Sequence, residues 1–175
     1  GANFMLLGLM IGDRTLYNKG VQSGYLAQLR AMRPDGSFPQ EVDRGLTALD
    51  NQNRNIGLMV YSAWIARSAG EDLFGSDVDG KTLDDAIRFL VRASDDNRLV
   101  DVYAQANRNP SRNHPVFRPN SQVDVWGNAA RGWIRLYAQR FPDTPLTQDL
   151  LRRVELGHRL QNDLTGGFVT CYADR

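Results

Sequence analysis

The chain has 175 residues and a mass of 19.7 kDa, and 42% of its residues are hydrophobic. That length accommodates one ordinary domain with a hydrophobic core, or two very small domains. Lys and Arg number 21 against 20 Asp and Glu, which leaves a net charge of +1. A charge this balanced argues against binding through bulk electrostatics. We therefore expect neither nucleic acid nor a membrane as a partner.

Arginine makes up 19 of the 21 basic residues. Its planar guanidinium binds carboxylates through paired hydrogen bonds, so the excess suggests a ligand that carries carboxylates, although surface ion pairs explain it equally well. Cys171 is the sole cysteine, which excludes an intrachain disulfide and a cysteine-rich metal site. The sequence has no metal-ligand spacing and no cofactor fingerprint, so we expect no metal and no cofactor.

Hydrophobic residues recur at spacings of three and four along the N-terminal part, which is typical of α-helices. The first predicted helix covers about Asn3 to Ile11 and is apolar on nearly every side, as expected if the chain begins inside a longer domain. A second helix is predicted after Asp13, with Thr15 as its N-cap, and it ends near Met32. The residues 33–36 then form a turn.

The middle of the chain contains the clearest helical signals. A strong helix is predicted at about 53–69, and Gly70 is its C-terminal stop. Thr82 and Asp85 have the spacing of a capping box, which predicts a helix that begins there and ends near Ala93.

The chain from 95 to 122 is polar and contains three prolines, and so long a loop in a compact domain is either disordered or functional. Further helices are predicted at about 123–140 and, with Thr147 as its N-cap, around 150–160, while 166–172 suits an extended tail. The prediction is an all-α chain, one helical domain over residues 1–175 built from stacked antiparallel helical hairpins. The long loop carries these basic residues: Arg98, Arg108, Arg112, His114 and Arg118.

A dense polar segment at 35–56 leads into the strong helix. In one interpretation its side chains cap the helix and form local ion pairs, such as Glu41 with Arg44. In the other interpretation they form a site for a polar ligand.

Three short motifs stand out along the chain. They are Gly12-Asp13 with Leu16-Tyr17; Asp35-Gly36 with Pro39, Glu41, Arg44, Ala48-Leu49 and Asn53; and Trp133 to Tyr137 with Arg140 to Asp143. All three are similar to motifs of the alginate lyase family of polysaccharide lyases. The resemblance implies an (α/α) toroid, of which this chain would be a C-terminal part that forms an incomplete barrel. A missing N-terminal segment of the same protein is then an expected partner.

The resemblance also implies a reaction, the eliminative cleavage of a polyuronate such as alginate. A proton leaves the carbon beside the uronate carboxylate, the glycosidic oxygen departs, and a double bond forms at the new non-reducing end. A cation or amide must neutralise the carboxylate and stabilise the enolate, while another group exchanges the proton. Arg44 matches the arginine of the family. Asn51, seven residues later, stands where the family has its proton-transferring tyrosine.

The amide of Asn51 cannot act as an acid or base at neutral pH, and Tyr61 or a residue of a missing segment is a candidate to replace the tyrosine, although nothing in the sequence requires it. The change also suits a non-catalytic domain that binds acidic polysaccharide. A third alternative, independent of sugar, is a helical-hairpin module that binds another protein. Because polyuronates are extracellular, the resemblance implies a periplasmic or secreted protein, although this chain carries no export signal. The candidate catalytic residues are Arg44 and Asn51, and the candidate contacts to an acidic polysaccharide are Glu41, Asn53, Arg54, Arg112 and His114.

Overall fold

A computed structural model describes residues 1–106, 125–126, 131–154, 161–162 and 167–168, the last two ranges by their backbone alone. Apart from one antiparallel pair of two-residue strands, the regular elements of these residues are helices, so the all-α prediction is confirmed. In chain order the elements are α1 (Ala2–Ile11), α2 (Arg14–Gly20), a π-helical segment (Val21–Leu26), α3 (Ala27–Ala31), α4 (Pro39–Val42), a 3-10 helix (Gly45–Thr47), α5 (Ala48–Ser68), α6 (Leu83–Asp95), α7 (Arg98–Ala104), α8 (Trp133–Arg140), α9 (Pro145–Arg153), β1 (Gln161–Asn162) and β2 (Gly167–Phe168).

The first helical hairpin packs backbone against backbone. Its second arm consists of α2, the π-helical segment and α3, which follow one another without a break. Gly8 of α1 lies so close to this arm that a Cβ there would come within 2.5 Å of the Tyr17 backbone nitrogen. Gly20 similarly faces Met5. Residues without a Cβ thus let the two arms approach closely.

Short polar side chains set the starts of two helices, and in both cases the cap lies earlier than predicted. Asp13 caps α2 by accepting a hydrogen bond from the Leu16 backbone nitrogen at 2.9 Å, so the prediction of Thr15 is wrong. Thr144 caps α9 by accepting from the Thr147 backbone nitrogen at 3.2 Å. Thr147, the predicted cap, therefore lies inside the helix.

The central helix is α5, which contacts α1, α4, α6, α7 and α8. It is 21 residues long and begins at Ala48, several residues before the predicted start, because the amide-rich stretch that precedes the apolar pattern is itself helical. Gly70, with φ of 78°, follows its end as predicted. The capping box of Thr82 and Asp85 at the start of α6 is confirmed.

Two predictions for the second half are corrected. The supposed loop from residue 95 contains α7. Within the predicted helix at 123–140, the described residues form a turn at 125–126 and the helix α8 at Trp133–Arg140. The described helices share one hydrophobic core, whose largest buried side chains include Trp133, Tyr17, Tyr25, Tyr137 and Phe38. None of the helices in these ranges combines the length and the apolar character that crossing a bilayer requires. The single domain over 1–175 stays a prediction.

The close approach of the first hairpin can be tested with Gly8→Ala. The added Cβ must displace the backbone around Tyr17, so we expect the free energy of unfolding to fall by about 1–3 kcal/mol. Gly75→Ala is the control, because a Cβ there meets only an Asp72 oxygen at 3.8 Å, and a change within about 0.5 kcal/mol is expected. Equal stability of the two variants in urea unfolding would contradict the close approach.

Candidate active site

The site begins at a tight turn between α3 and α4. The turn is closed by hydrogen bonds from the Gly36 nitrogen to the Arg33 carbonyl at 3.0 Å and from the Arg33 nitrogen to the Ser37 carbonyl at 2.9 Å. Gly36 has φ of 95°, and a Cβ at this position would overlap the carbonyl oxygen of Asp85. Only glycine satisfies both conditions. The turn therefore rests directly on the start of α6.

Gln52 of α5 holds the other side of this turn. Its Oε1 accepts from the Phe38 backbone nitrogen at 3.0 Å, and its Nε2 donates to the Gly36 carbonyl at 3.0 Å. Gln52 is fully buried. Because a buried polar group without a partner is costly, these two bonds fix the start of α4 against the first turns of α5.

A side chain of α7 braces the turn from outside. The Tyr103 hydroxyl donates to Asp35 Oδ2 at 2.7 Å, and the Arg33 guanidinium lies 4.2 Å from the centre of the Tyr103 ring. Burial acts to raise the pKa of Asp35, but hydrogen bonds from the Ser37 amide and the Tyr103 hydroxyl outweigh it, so this pKa lies below its usual value. The carboxylate is thus held ionised as a structural acceptor.

Two cavities adjoin the turn, with volumes of about 460 and 500 Å³. Both are lined by Asp35 and Arg92. Arg88 lines the first cavity and Arg98 the second, so each has basic and acidic groups at its wall.

Arg44 lies between α4 and the 3-10 helix, and its guanidinium is held from three directions. Nε donates to the Gln40 carbonyl at 2.9 Å, and NH1 donates to Asn51 Oδ1 at 3.1 Å. NH2 lies 3.5 Å from Glu41 Oε2. The side chain is nevertheless 28% exposed, so a fixed cation remains open to solvent.

Asn51 is oriented by its second hydrogen bond. Its Nδ2 donates to the Thr47 carbonyl at 2.7 Å, one helical turn back, which turns the Oδ1 atom toward Arg44. The two predicted catalytic residues, Arg44 and Asn51, are therefore in direct contact.

Glu41 completes this cluster, and the predicted pairing of Glu41 with Arg44 is present. Burial raises the pKa of Glu41 above its usual value, and the positive charge of Arg44 offsets only part of the effect. The Glu41 side chain is 17% exposed. It is thus a carboxyl of weakened acidity beside an arginine. We refer to Glu41, Arg44 and Asn51 together as the Arg44 cluster.

Asn53 points away from this cluster into the core. Its Oδ1 accepts from the indole Nε1 of Trp133 at 2.8 Å, and its Nδ2 donates to the Val125 carbonyl at 3.4 Å. It is 1% exposed. The contacts shown are structural ones that tie α5 to α8, and the substrate contact predicted for Asn53 stays a prediction.

The remaining predicted contacts are Arg54, Arg112 and His114. Arg54 pairs with Asp50 along α5, with Nε 2.7 Å from Oδ2. Arg112 and His114 lie outside the described residues. In the part of the chain that the structure describes, three or more side chains able to ligate a metal do not come together.

Comparison with known proteins gives the family. The family model described as Alginate lyase matches residues 1–99, which is more than half of the chain. The chain belongs to the alginate lyase family. The matched residues include the whole Arg44 cluster.

Alginate lyase relatives extend well beyond this chain. A protein named Polysaccharide lyase from Stenotrophomonas maltophilia (strain K279a) is 24% identical over 143 residues, which are 82% of this chain and 37% of that protein. The chain thus spans well under half the length of this relative.

Solved alginate lyases share the fold. Alginate lyase A1-III from Sphingomonas species A1 superposes with a TM-score of 0.72 at 22% identity, covering 97% of this chain and 43% of that one. A Tyr-to-Phe variant of A1-III complexed with a tetrasaccharide gives 0.71 at 24% identity, with the same coverage. These likenesses establish that the helices are arranged as in A1-III.

Gln52 is a site residue that the sequence analysis missed. It lies inside the recognised polar segment, but nothing in its local spacing shows that its amide meets the turn at 36–38. Its partners lie 14 and 16 residues away, so the signal is tertiary.

Replacing Gln52 by Leu should loosen the turn. The change leaves the Phe38 N–H and the Gly36 C=O buried without partners, and we expect the free energy of unfolding to fall by at least about 2 kcal/mol. Gln22→Leu, at an exposed position, is the matched control with a change within about 0.5 kcal/mol. Chemical denaturation measures both, and equal stabilities would show that the Gln52 bonds do not hold the turn.

Proposed function

We propose that this chain is part of a lyase that cleaves an acidic polysaccharide, a polyuronate such as alginate, by β-elimination. The observation that carries the proposal is the Arg44 guanidinium, which three groups hold in place while 28% of the side chain stays open to solvent. A fixed guanidinium is suited to a carboxylate because it offers parallel N–H donors and a permanent charge. Membership of the alginate lyase family supports the same substrate class.

The chemical need for such a cation follows from the reaction. A carbon beside a carboxylate is a weak acid, because removing its proton adds negative charge to a group that is already negative. Arg44 neutralises the carboxylate, and the Asn51 amide orients Arg44 and adds polarity to the same site. This stabilisation grows as the enolate forms, so it lowers the barrier to the elimination.

A domain that binds acidic polysaccharide without cleaving it is the second candidate. It is favoured by one observation, the amide of Asn51 at the position where the family resemblance implies a tyrosine. Binding without cleavage needs the Arg44 guanidinium but no group that exchanges a proton. The two functions therefore differ in whether substrate is consumed.

We also propose that a preceding helical segment of the same protein covers α1. The chain covers only 43% of A1-III, and α1 presents a stripe of exposed apolar side chains that includes Leu7 and Ile11, which are 46% and 63% exposed. Helices of a globular protein bury such stripes against a neighbour.

We further propose a periplasmic or secreted location for the protein, because polyuronates are extracellular polymers.

Arg44→Ala should abolish lyase activity with little effect on folding. We expect kcat/KM on the preferred polyuronate to fall by at least about 100-fold, because the variant loses the fixed charge on the carboxylate. Arg44→Lys keeps a charge but not the paired donors, and intermediate activity is expected. The assay follows the ultraviolet absorbance of the unsaturated uronate across a panel of alginate blocks, polyglucuronate and other acidic polysaccharides.

Arg30→Ala, at an exposed position of α3, is the control for loss of an arginine. It should keep its activity within about twofold, as expected for a surface substitution away from the site. Undiminished activity of Arg44→Ala would show that Arg44 is not part of the active site. A wild-type protein that is stabilised by the polymer but leaves it intact would favour the binding domain.

Leu7→Gln tests whether another segment covers α1. In the full natural protein we expect the free energy of unfolding to fall by about 2 kcal/mol, because a buried apolar side chain becomes polar. Leu99→Gln in α7, where the leucine is 41% exposed, is the matched control and should change the free energy of unfolding by less than about 0.5 kcal/mol. Equal, small effects of the two changes would contradict a covering segment.

A further inference from the structure

The Arg44 cluster contains one group that can exchange a proton at ordinary pH. The Asn51 amide neither gains nor loses a proton near neutrality, and the Arg44 guanidinium stays charged. Elimination needs a base for the carbon proton and an acid for the departing oxygen. Among the described residues that contact Arg44 through their side chains, Glu41 alone can fill these roles.

Glu41 is also placed beside the carboxylate that Arg44 would hold. Its Oε2 lies 3.5 Å from NH2 of Arg44, while Asn51 occupies NH1. A uronate carboxylate bound to the same planar guanidinium must therefore lie next to Glu41. The carbon that loses its proton is bonded directly to that carboxylate.

The environment of Glu41 makes it a stronger base than a surface glutamate. Burial raises its pKa, and Arg44 lowers it by less. A uronate that shares Arg44 would raise this pKa further, because a second negative charge disfavours ionisation. A glutamate in a water-poor site is known to remove protons from carbon beside a carbonyl.

The elements packed against α4 carry further ionisable groups. Those elements include α5 and α7. Among the described residues Arg44 is the only charged group that acts on Glu41. The other ionisable groups of α7 and of the first two turns of α5 are Asp50, Arg54, Arg98, Asp101 and Tyr103, of which Asp50 pairs with Arg54 and Tyr103 with Asp35.

We propose that Glu41 exchanges the proton of the elimination while Arg44 and Asn51 hold the uronate carboxylate. This inference rests on the lyase activity proposed above. The Glu41 carboxylate takes the proton from the carbon beside the uronate carboxylate, and the C–H electron pair becomes the new double bond. The bond from the neighbouring carbon to the glycosidic oxygen breaks with its electrons on oxygen. Glu41 then returns the proton to that oxygen, so no other reactant is consumed.

The test compares Glu41→Gln with Asp43→Asn in the full natural protein. Asp43 is a matched control, because its carboxylate lies 3.5 Å from Arg33 and its side chain is 16% exposed. The Glu41 carboxylate similarly lies 3.5 Å from Arg44, and its side chain is 17% exposed. We expect kcat of Glu41→Gln to fall by at least about 100-fold with little change in KM, as for loss of a general base. Asp43→Asn should stay within about twofold. Melting temperatures confirm that both variants fold.

The pH profile separates proton exchange from a structural role. In the wild-type protein kcat should rise with pH as Glu41 loses its proton, with a midpoint above the usual glutamate range. Glu41→Asp should keep this rise at reduced kcat, and in Glu41→Gln the rise should be absent.

Two results would overturn the inference while leaving the lyase activity in place. One is a kcat of Glu41→Gln within about twofold of wild type, whatever the change in KM, since loss of a general base is expected to cost about 100-fold or more. The other is an equal loss in Asp43→Asn, which would mean that the segment as a whole is sensitive. A wild-type protein that forms no unsaturated product from any polymer of the panel would instead overturn the proposed function itself, and the inference with it.

Discussion

The geometry of the site depends on the buried side-chain amide of Gln52. Its two hydrogen bonds join α5 to the turn that precedes α4, and neither polar atom has access to water as a substitute. Because the turn sets the start of α4, and α4 leads directly to Arg44, the same bonds set where Arg44 meets Asn51. A local constraint in the core thus positions a side chain that faces solvent.

The Arg44 cluster combines a fixed cation with partners that neutralise it incompletely. Asn51 is uncharged, and the burial of Glu41 favours its neutral form. Such a cluster retains attraction for an incoming carboxylate, whereas a guanidinium in a full ion pair with an exposed carboxylate would have less. The cluster lies within the residues that match the alginate lyase family, on helices arranged as in A1-III.

Local sequence patterns predicted those features that depend on near neighbours. The first helix, the capping box of α6 and the pairing of Glu41 with Arg44 all involve residues a few positions apart. The patterns failed where distant contacts decide. α7 lies in a polar stretch whose prolines suggested a loop, and no local pattern indicated that the Asn53 amide meets Trp133, 80 residues away. The hydrogen bonds of the Gln52 amide to Phe38 and Gly36 likewise join residues that are distant in the sequence.

The most direct test of the account is the mass of the products formed when the full natural protein acts on a polyuronate. Elimination gives oligouronates with a double bond at the new non-reducing end, one water lighter than the products of hydrolysis. We expect these unsaturated oligouronates. Saturated oligouronates, or polymer that remains intact through prolonged incubation, would contradict it.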